Sequence, residues 1–284
     1  MAVALLAPSL ALILLFVVAP VAYAIWLSMT NKRLTGFGAQ DPEFIGLDNY
    51  SRLLTSSDFL AALGRTGEFI FFSAILGQFI LGLMAALLLT RTAIRFKGGF
   101  GAAILLPLVV PEVVASLAWA SMFAPGESGT LNRGLATVGF TPVAWLQEYP
   151  MACIIVVNAW RGIAFAMIMF QAALQGVSED IVDAARTDGA GSRQLVWHIV
   201  LPLIRGTVFL FLLLTTITTA GVFGLIYFLT RGGPGRRTEV VSVYIYENSF
   251  RFFQLGLGSA ASVILLAMIL VLGVLYVRYS RVEI

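Results

Sequence analysis

Two ionisable residues stand inside long apolar runs, and each needs a physical reason to be there. Arg161 lies near the middle of residues 151–174, beside Trp160 and Asn158, and Glu112 follows Pro111 within residues 99–123. A charge at membrane depth is costly, so such a residue faces a watery pathway or is paired with another group. On the first reading Arg161 binds hydroxyls or an anionic group. On the second it forms a buried pair, or snorkels to an interface from a shifted boundary. The rings Trp119, Trp160, Phe165, Phe223 and Tyr227 share these runs. They offer flat faces to a sugar, although packing and interfacial anchoring are the commoner uses of such rings. The candidate substrate path is therefore Glu112, Asn158, Trp160, Arg161, Phe223 and Tyr227.

Other chemistry is missing from the sequence. Neither lysine, Lys32 or Lys97, sits in the G-x-x-x-x-G-K-[ST] frame whose amides cradle phosphates, and there is no H-E-x-x-H and no G-x-S-x-G. The single histidine, His198, excludes a site that needs two, and the single cysteine, Cys153, can form no intrachain disulfide. No catalytic residue, metal site or cofactor bound by this chain is expected. If ATP drives the protein, another chain hydrolyses it.

The elements that must position these residues are helices in a bilayer. Hydrophobic residues make up 59% of the 284, charged ones 12%, and the mean hydropathy is +0.92, far from the roughly quarter-charged composition of a soluble domain. Six spans are expected in an all-α membrane protein of one domain: about 5–29, 67–90, 99–123, 151–174, 203–229 and 255–277. Each is long enough to cross a hydrocarbon core of ~30 Å at ~1.5 Å per residue. Ala22-Tyr23-Ala24 has the small-x-small look of a signal-peptide cleavage site, but there is no basic segment before it and the apolar run is too long. Pro107 and Pro111 predict a kink in the third span. Residues 30–66 are polar enough to fold a small amphipathic piece at the membrane surface. The formal charge of +3 suggests anchoring to lipid headgroups rather than to nucleic acid.

One long polar segment, 176–202, separates two of these spans. Ser178 can cap a helix whose first turn holds Glu179 and Asp180, next to the positive end of the dipole. Ile181, Ala184 and Ala185 share one face of it; Asp180, Asp183 and Arg186 share the other. Gly189 and Gly191 stop it, Gly189 by permitting a sharp reversal that a Cβ would obstruct. Ser192 starts a second helix with the stripe Leu195, Val196, Ile199 and Val200, and Pro202 is expected at the first turn of the next span.

These residues carry a resemblance. Asp183-Ala184-Ala185, then Asp188-Gly189-Ala190, then Ile199 and Leu201-Pro202 resemble the EAA loop of ABC-importer permeases, with Asp183 in place of the usual Glu. Three further stretches are similar to elements of the carbohydrate-type members: Phe44-Ile45-Gly46-Leu47-Asp48-Asn49-Tyr50, Ala124-Pro125-Gly126 with Gly129-Thr130-Leu131-Asn132, and Leu229-Thr230-Arg231-Gly232-Gly233-Pro234. The resemblance implies a six-helix permease in a bacterial or archaeal cytoplasmic membrane. It implies a second homologous permease as heterodimer partner, two ATPase subunits that bind ATP and Mg, and an external substrate-binding protein. It also implies that Glu179, Asp183, Ala184, Ala185, Asp188, Gly189, Ala190, Leu201 and Pro202 couple to the ATPase, with a carbohydrate, or else glycerol-phosphate or a glycerophosphodiester, as cargo.

Summed loop charges do not settle the orientation; charge density favours one sense, and the resemblance gives the stronger argument, since a loop that docks an ATPase must face ATP. Arg91, Arg95 and Lys97 crowd a very short loop, which the positive-inside rule places in the cytoplasm, together with Arg186, Arg193, Arg278 and Arg281. The longer loops carry Lys32, Arg33, Arg52, Arg65, Arg133, Arg231, Arg236, Arg237 and Arg251 at lower density. Two other classes stay open on the residues alone. An ion-driven secondary transporter would need intramembrane acids, for which Glu112 is the one candidate, and a membrane-embedded assembly subunit would show no substrate-dependent phenotype.

Overall fold

The computed structural model describes residues 2–90 and 97–280, which are helical apart from loops and one isolated bridge between Thr30 and Phe44. The basic residues Arg91, Arg95 and Arg281 lie outside the described residues, and of Lys97 only the backbone is described. The chain forms two compact units. One comprises Met1–Thr66 with Glu239–Met268, the other Gly67–Thr238 with Ile269–Ile284.

Helix α1 covers residues 2–28 and α2 is Asp48–Thr55. The α3 helix, Ser57–Thr90, is 34 residues long, so the expected second span is only its C-terminal part. Asp58, Arg65 and Glu68 interrupt the hydropathy but not the helix, because Ala61, Ala62 and Leu63 between them favour it. α4 (Lys97–Val109) and α5 (Glu112–Met122) replace the expected third span and meet at an angle of 108°. Pro111 is the cause: it has no N–H to donate, and its backbone is extended, at φ −56° and ψ 141°. What the prolines predict as a kink is a break.

After the short α6 (Thr130–Thr137), α7 (Pro150–Gln175) is an unbroken helix of 26 residues. α8 (Glu179–Thr187) and α9 (Ser192–Leu203) form the polar segment, and α10 (Arg205–Ala220) leaves α9 at 79°. Ile204, at φ −96° and ψ 15°, makes the turn. Pro202 therefore closes α9 instead of opening the next helix, which begins at Arg205. The expected fifth span, 203–229, is likewise divided: α10 stops at Gly221, and α11 (Gly224–Thr230) starts anew behind Phe223. α12 (Val241–Tyr246) and the long α13 (Leu255–Ser280) complete the chain. Among the described residues four helices are apolar and long enough to cross a membrane singly, and there are up to six crossings if each bent pair is one.

In the first unit the Phe44–Tyr50 stretch clamps the end of α1, and α13 starts against the backbone that follows α1. Asn49 donates to the carbonyls of Ser28 and Thr30 (2.8 and 2.9 Å), Tyr50 Oη meets Ser28 Oγ (2.6 Å), and Gly256 N–H donates to Lys32 O (2.9 Å). A Cβ on Gly256 would sit 2.1 Å from Thr30 O, so only glycine allows this approach. The core of the second unit contains Leu83 and Ala86 of α3, Ala166 and Phe170 of α7, Val200 of α9, Ile204, and Phe211 of α10. Phe170 and Phe211 have ring centroids 4.9 Å apart.

Candidate functional site: a docking helix pair and a polar seam

Within the second unit the residues singled out by sequence fall in two places. The first is the α8–α9 pair. Ser178 Oγ accepts the Asp180 N–H (3.3 Å), Arg186 Nη1 lies 3.0 Å from Asp183 Oδ1, and Gly191 N–H donates to Gln194 Oε1 (3.0 Å). The second helix starts at Ser192 as expected, and Gly191 is its cap. Gly189 has φ +85°, and a Cβ built on it meets nothing within 4 Å. The expected obstruction is absent; the requirement for glycine is the left-handed backbone itself.

Most of this pair is open. Glu179, Asp183, Ala184, Asp188, Gly189 and Pro202 are exposed, while Ala185, Ala190 and Leu201 are half-buried. Three large apolar side chains are exposed with them, Ile181 at 44%, Trp197 at 58% and, at the end of α9, Leu203 at 52%. Trp197 escaped notice in the sequence because it lies beside an apolar stripe and reads as part of it. The stripe itself points the other way: Val200 is buried, and Leu195 and Leu201 pack on the core of α3, α7 and α10. One side of α9 is rooted in the spans and the other is bare.

The second place is a polar seam among α3, α5, α7, α10 and α11. Glu112 is its centre. One carboxylate oxygen accepts the N–H of Leu225 (2.5 Å), and the other lies 3.6 Å from Arg161 Nη1. The Leu225 N–H belongs to the first turn of α11, where amides lack intrahelical partners, so Glu112 serves as a cap from another element. Gly224 makes room, since a Cβ there would lie 3.1 Å from the carboxylate. The two side chains are 25% (Arg161) and 33% (Glu112) exposed, and Arg161 Nε is buried without a hydrogen-bond partner among the described residues.

The remaining path candidates are packed. Asn158, 4% exposed, donates to Ser73 Oγ (2.8 Å), and its carbonyl accepts from Gln78 Nε2 (3.1 Å). Gln78 Oε1 in turn accepts from Thr215 Oγ1 at short range. Trp160 packs edge-on against Trp119 (5.5 Å), and Phe223 stacks on Tyr227 (5.1 Å). The structure thus brings Glu112 and Arg161 together and sets Asn158 apart, in a buried tie between α3 and α7. Ser73, Gln78 and Thr215 carry no charge and stand beside no charged residue in the sequence, so they do not stand out as Asn158 does near Arg161. An amide in the middle of an apolar span was the available signal.

The other motif residues hold loops in shape. Asn132, fully buried, donates to the carbonyls of Ala124 and Val143 and accepts from Val143 N–H and Trp145 Nε1. Arg237, after the Gly-Gly-Pro stretch, donates to the carbonyls of Gln147 and Glu148 (3.1 and 3.2 Å).

Residues 1–281 match the family model described as "Binding-protein-dependent transport system inner membrane component". The chain is 32% identical to the trehalose/maltose transport system permease protein MalF of Thermococcus litoralis, covering 96% of this chain and 91% of that one. It is 31% identical to the sn-glycerol-3-phosphate transport system permease protein UgpA of Agrobacterium fabrum, covering 97% and 92%. Among solved structures, a chain of a bacterial alginate ABC transporter, crystallised with an alginate-bound periplasmic protein, superposes with a TM-score of 0.83 at 22% identity, over 98% of this chain and 93% of that one.

Proposed function

The chain belongs to the binding-protein-dependent transport system inner membrane components, and from that premise we propose that it forms, with a second related permease, the membrane path of an ATP-driven importer for a carbohydrate. One of two ATPase subunits docks on α8 and α9 from the cytoplasm, the other on the second permease, and an external binding protein delivers the cargo, in a bacterial or archaeal cytoplasmic membrane. The observation that carries this reading is the two-sidedness of α9. Its exposed face, with Trp197 and the neighbouring Ile181 of α8, suits a groove on a partner, while Val200 and the adjoining Ile204 are built into the helix core.

Closure of the ATPase pair on nucleotide moves the docked helices. Because one face of α9 is packed into the core of α3, α7 and α10, that motion tilts the spans instead of dissipating in a loop. Two arrangements of the spans, one favoured by nucleotide and the other by its absence, give alternating access. The chain supplies a shaped route and no covalent chemistry.

Glycerol-phosphate is the second reading of the cargo. It is supported by the unpartnered, buried Nε of Arg161, a donor suited to an anionic oxygen, and by the likeness to UgpA. Uptake of labelled disaccharides, amino sugars and glycerophosphodiesters by cells with and without this chain tests both. ATP-dependent loss confined to a neutral sugar supports the first reading, and loss of the phosphate compound the second. Uptake abolished by ionophores, with ATP maintained, would overturn the importer mechanism.

A further inference from the structure

The first unit contains a cavity of about 360 Å³ that transport does not explain. Lys32, Arg33 and Arg52 line it together with the amides Asn31, Asn49 and Gln254. No carboxylate lines it among the described residues. Glu43, outside the lining, is spent on Asn31: its backbone N–H donates to Asn31 Oδ1 (2.8 Å) and its side chain accepts from Asn31 Nδ2 (3.2 Å). Lys32 Nζ uses one donor on Ala39 O (2.6 Å), which leaves an ammonium two more. Arg33 and Arg52 are exposed, and a guanidinium fork matches the paired oxygens of a phosphate.

The walls are built and not incidental. They follow the end of α1 at Ser28, include α2, and reach the first turn of α13. The bonds from Asn49 to Ser28 O and Thr30 O, and from Gly256 to Lys32 O, fix these pieces to one another. The cavity consequently sits where one apolar crossing leaves the hydrocarbon and another enters it, at headgroup depth. Beside it Leu34, Phe252 and Phe253 are exposed, and Leu34 N–H donates to Phe253 O (2.9 Å). Apolar groups flanking a cationic cup fit a ligand with an anionic head and a greasy continuation.

We propose that this cavity binds the phosphodiester headgroup of an anionic phospholipid, with the chains lying along Leu34 and the Phe252-Phe253 pair. A phosphodiester with small hydroxyl substituents gives the cations their anion and the amides a hydroxyl partner. The assignment does not depend on which solute is transported.

The test is native mass spectrometry of the delipidated full-length chain, with whatever subunits co-purify, titrated with phosphatidylglycerol, phosphatidylcholine or inorganic phosphate. The Arg33→Gln/Arg52→Gln double variant is compared with the wild type. Both side chains are exposed, so folding is retained, and a melting curve checks this. With ~1 kcal/mol of attraction per basic residue near an anionic lipid, the double variant loses about ten- to thirtyfold in phosphatidylglycerol affinity while phosphatidylcholine binding is unchanged. Equal phosphatidylglycerol binding by variant and wild type overturns the site. Inorganic phosphate binding as tightly as the lipid, with the same loss in the variant, overturns the lipid as its source.

Discussion

The helix pair α8–α9 and the seam around Glu112 and Gln78 are both polar regions in a chain that is mostly apolar, yet they satisfy their polar groups in opposite ways. In the pair, Asp183 and Arg186 meet each other, at 71% and 63% exposure, and an exposed pair of this kind contributes little to stability. In the seam, Gln78 bonds Asn158 and Thr215, Asn158 bonds Ser73, and Glu112 bonds Leu225. The difference separates two uses of polarity: residues kept for a partner are left open, and residues kept for the fold are closed on one another. Substitutions in the seam should therefore act first on assembly, and those in the pair on coupling.

The largest effect is expected at the contact between α3 and α7. A Cβ on Gly82 would lie 2.1 Å from Ala166 Cβ, backbone to backbone across two rigid helices with no flexible side chain to yield. Gly82→Val should abolish recovery of folded, membrane-inserted chain, since overpacking costs about 1–3 kcal/mol even where neighbours can move. Size-exclusion chromatography in detergent checks it. A monodisperse variant with a normal melting temperature would mean that the contact between α3 and α7 is looser than the structure shows.

An intermediate effect is expected at Gly189, and there the two regions part company. Space is open around it, so the left-handed backbone alone should set the outcome. Gly189→Val, β-branched and ill-suited to positive φ, should reduce transport at least tenfold while the chain still inserts. Gly189→Asp should fall between, adding a charge to the docking face, and Gly189→Asn, the residue type most tolerant of this conformation, should stay within a few-fold of wild type. Measuring transport and ATPase co-purification together gives the answer: if all three variants are equally impaired, the constraint is contact with the partner and not the turn.

These two glycines also mark how much the sequence discloses. Gly189 is legible because a turn residue between two helical patterns has a local reason. Gly82 is not, because its reason is Ala166, more than eighty positions away. The same holds for the rest of the chain. The α8–α9 pair can be read nearly residue by residue from caps and stripes, except that Pro202 closes α9 and that Gly189 answers to its backbone conformation and not to an obstructed Cβ. The long crossings follow from hydropathy. Hydropathy cannot see that Pro111 breaks its span by 108° or that α10 and α11 are separate, since an apolar run scores alike whether straight or folded back. In the sequence Glu112 and Arg161 fit a pathway and a buried pair alike, and the third participant, the Leu225 N–H, is backbone and carries no sequence signal at all.

The smallest effect, and the one that bears most on the comparison, is at that pair. Glu112→Gln keeps an oxygen to accept the Leu225 N–H but removes the charge facing Arg161, whereas Arg161→Met keeps the carboxylate and removes the cation. If the pair only holds α5, α7 and α11 together, both variants should lower the melting temperature by a few degrees and change transport less than threefold, because the groups are 33% and 25% exposed and solvent screens what is lost. If Arg161 also meets the solute, Arg161→Met should raise the apparent KM for uptake about tenfold while Glu112→Gln leaves it unchanged or lowers it, the arginine being freed. The direction of the Glu112→Gln effect is thus the sharper measurement: equal losses in both variants would assign Glu112 and Arg161 wholly to the fold, alongside Gln78 and Asn158.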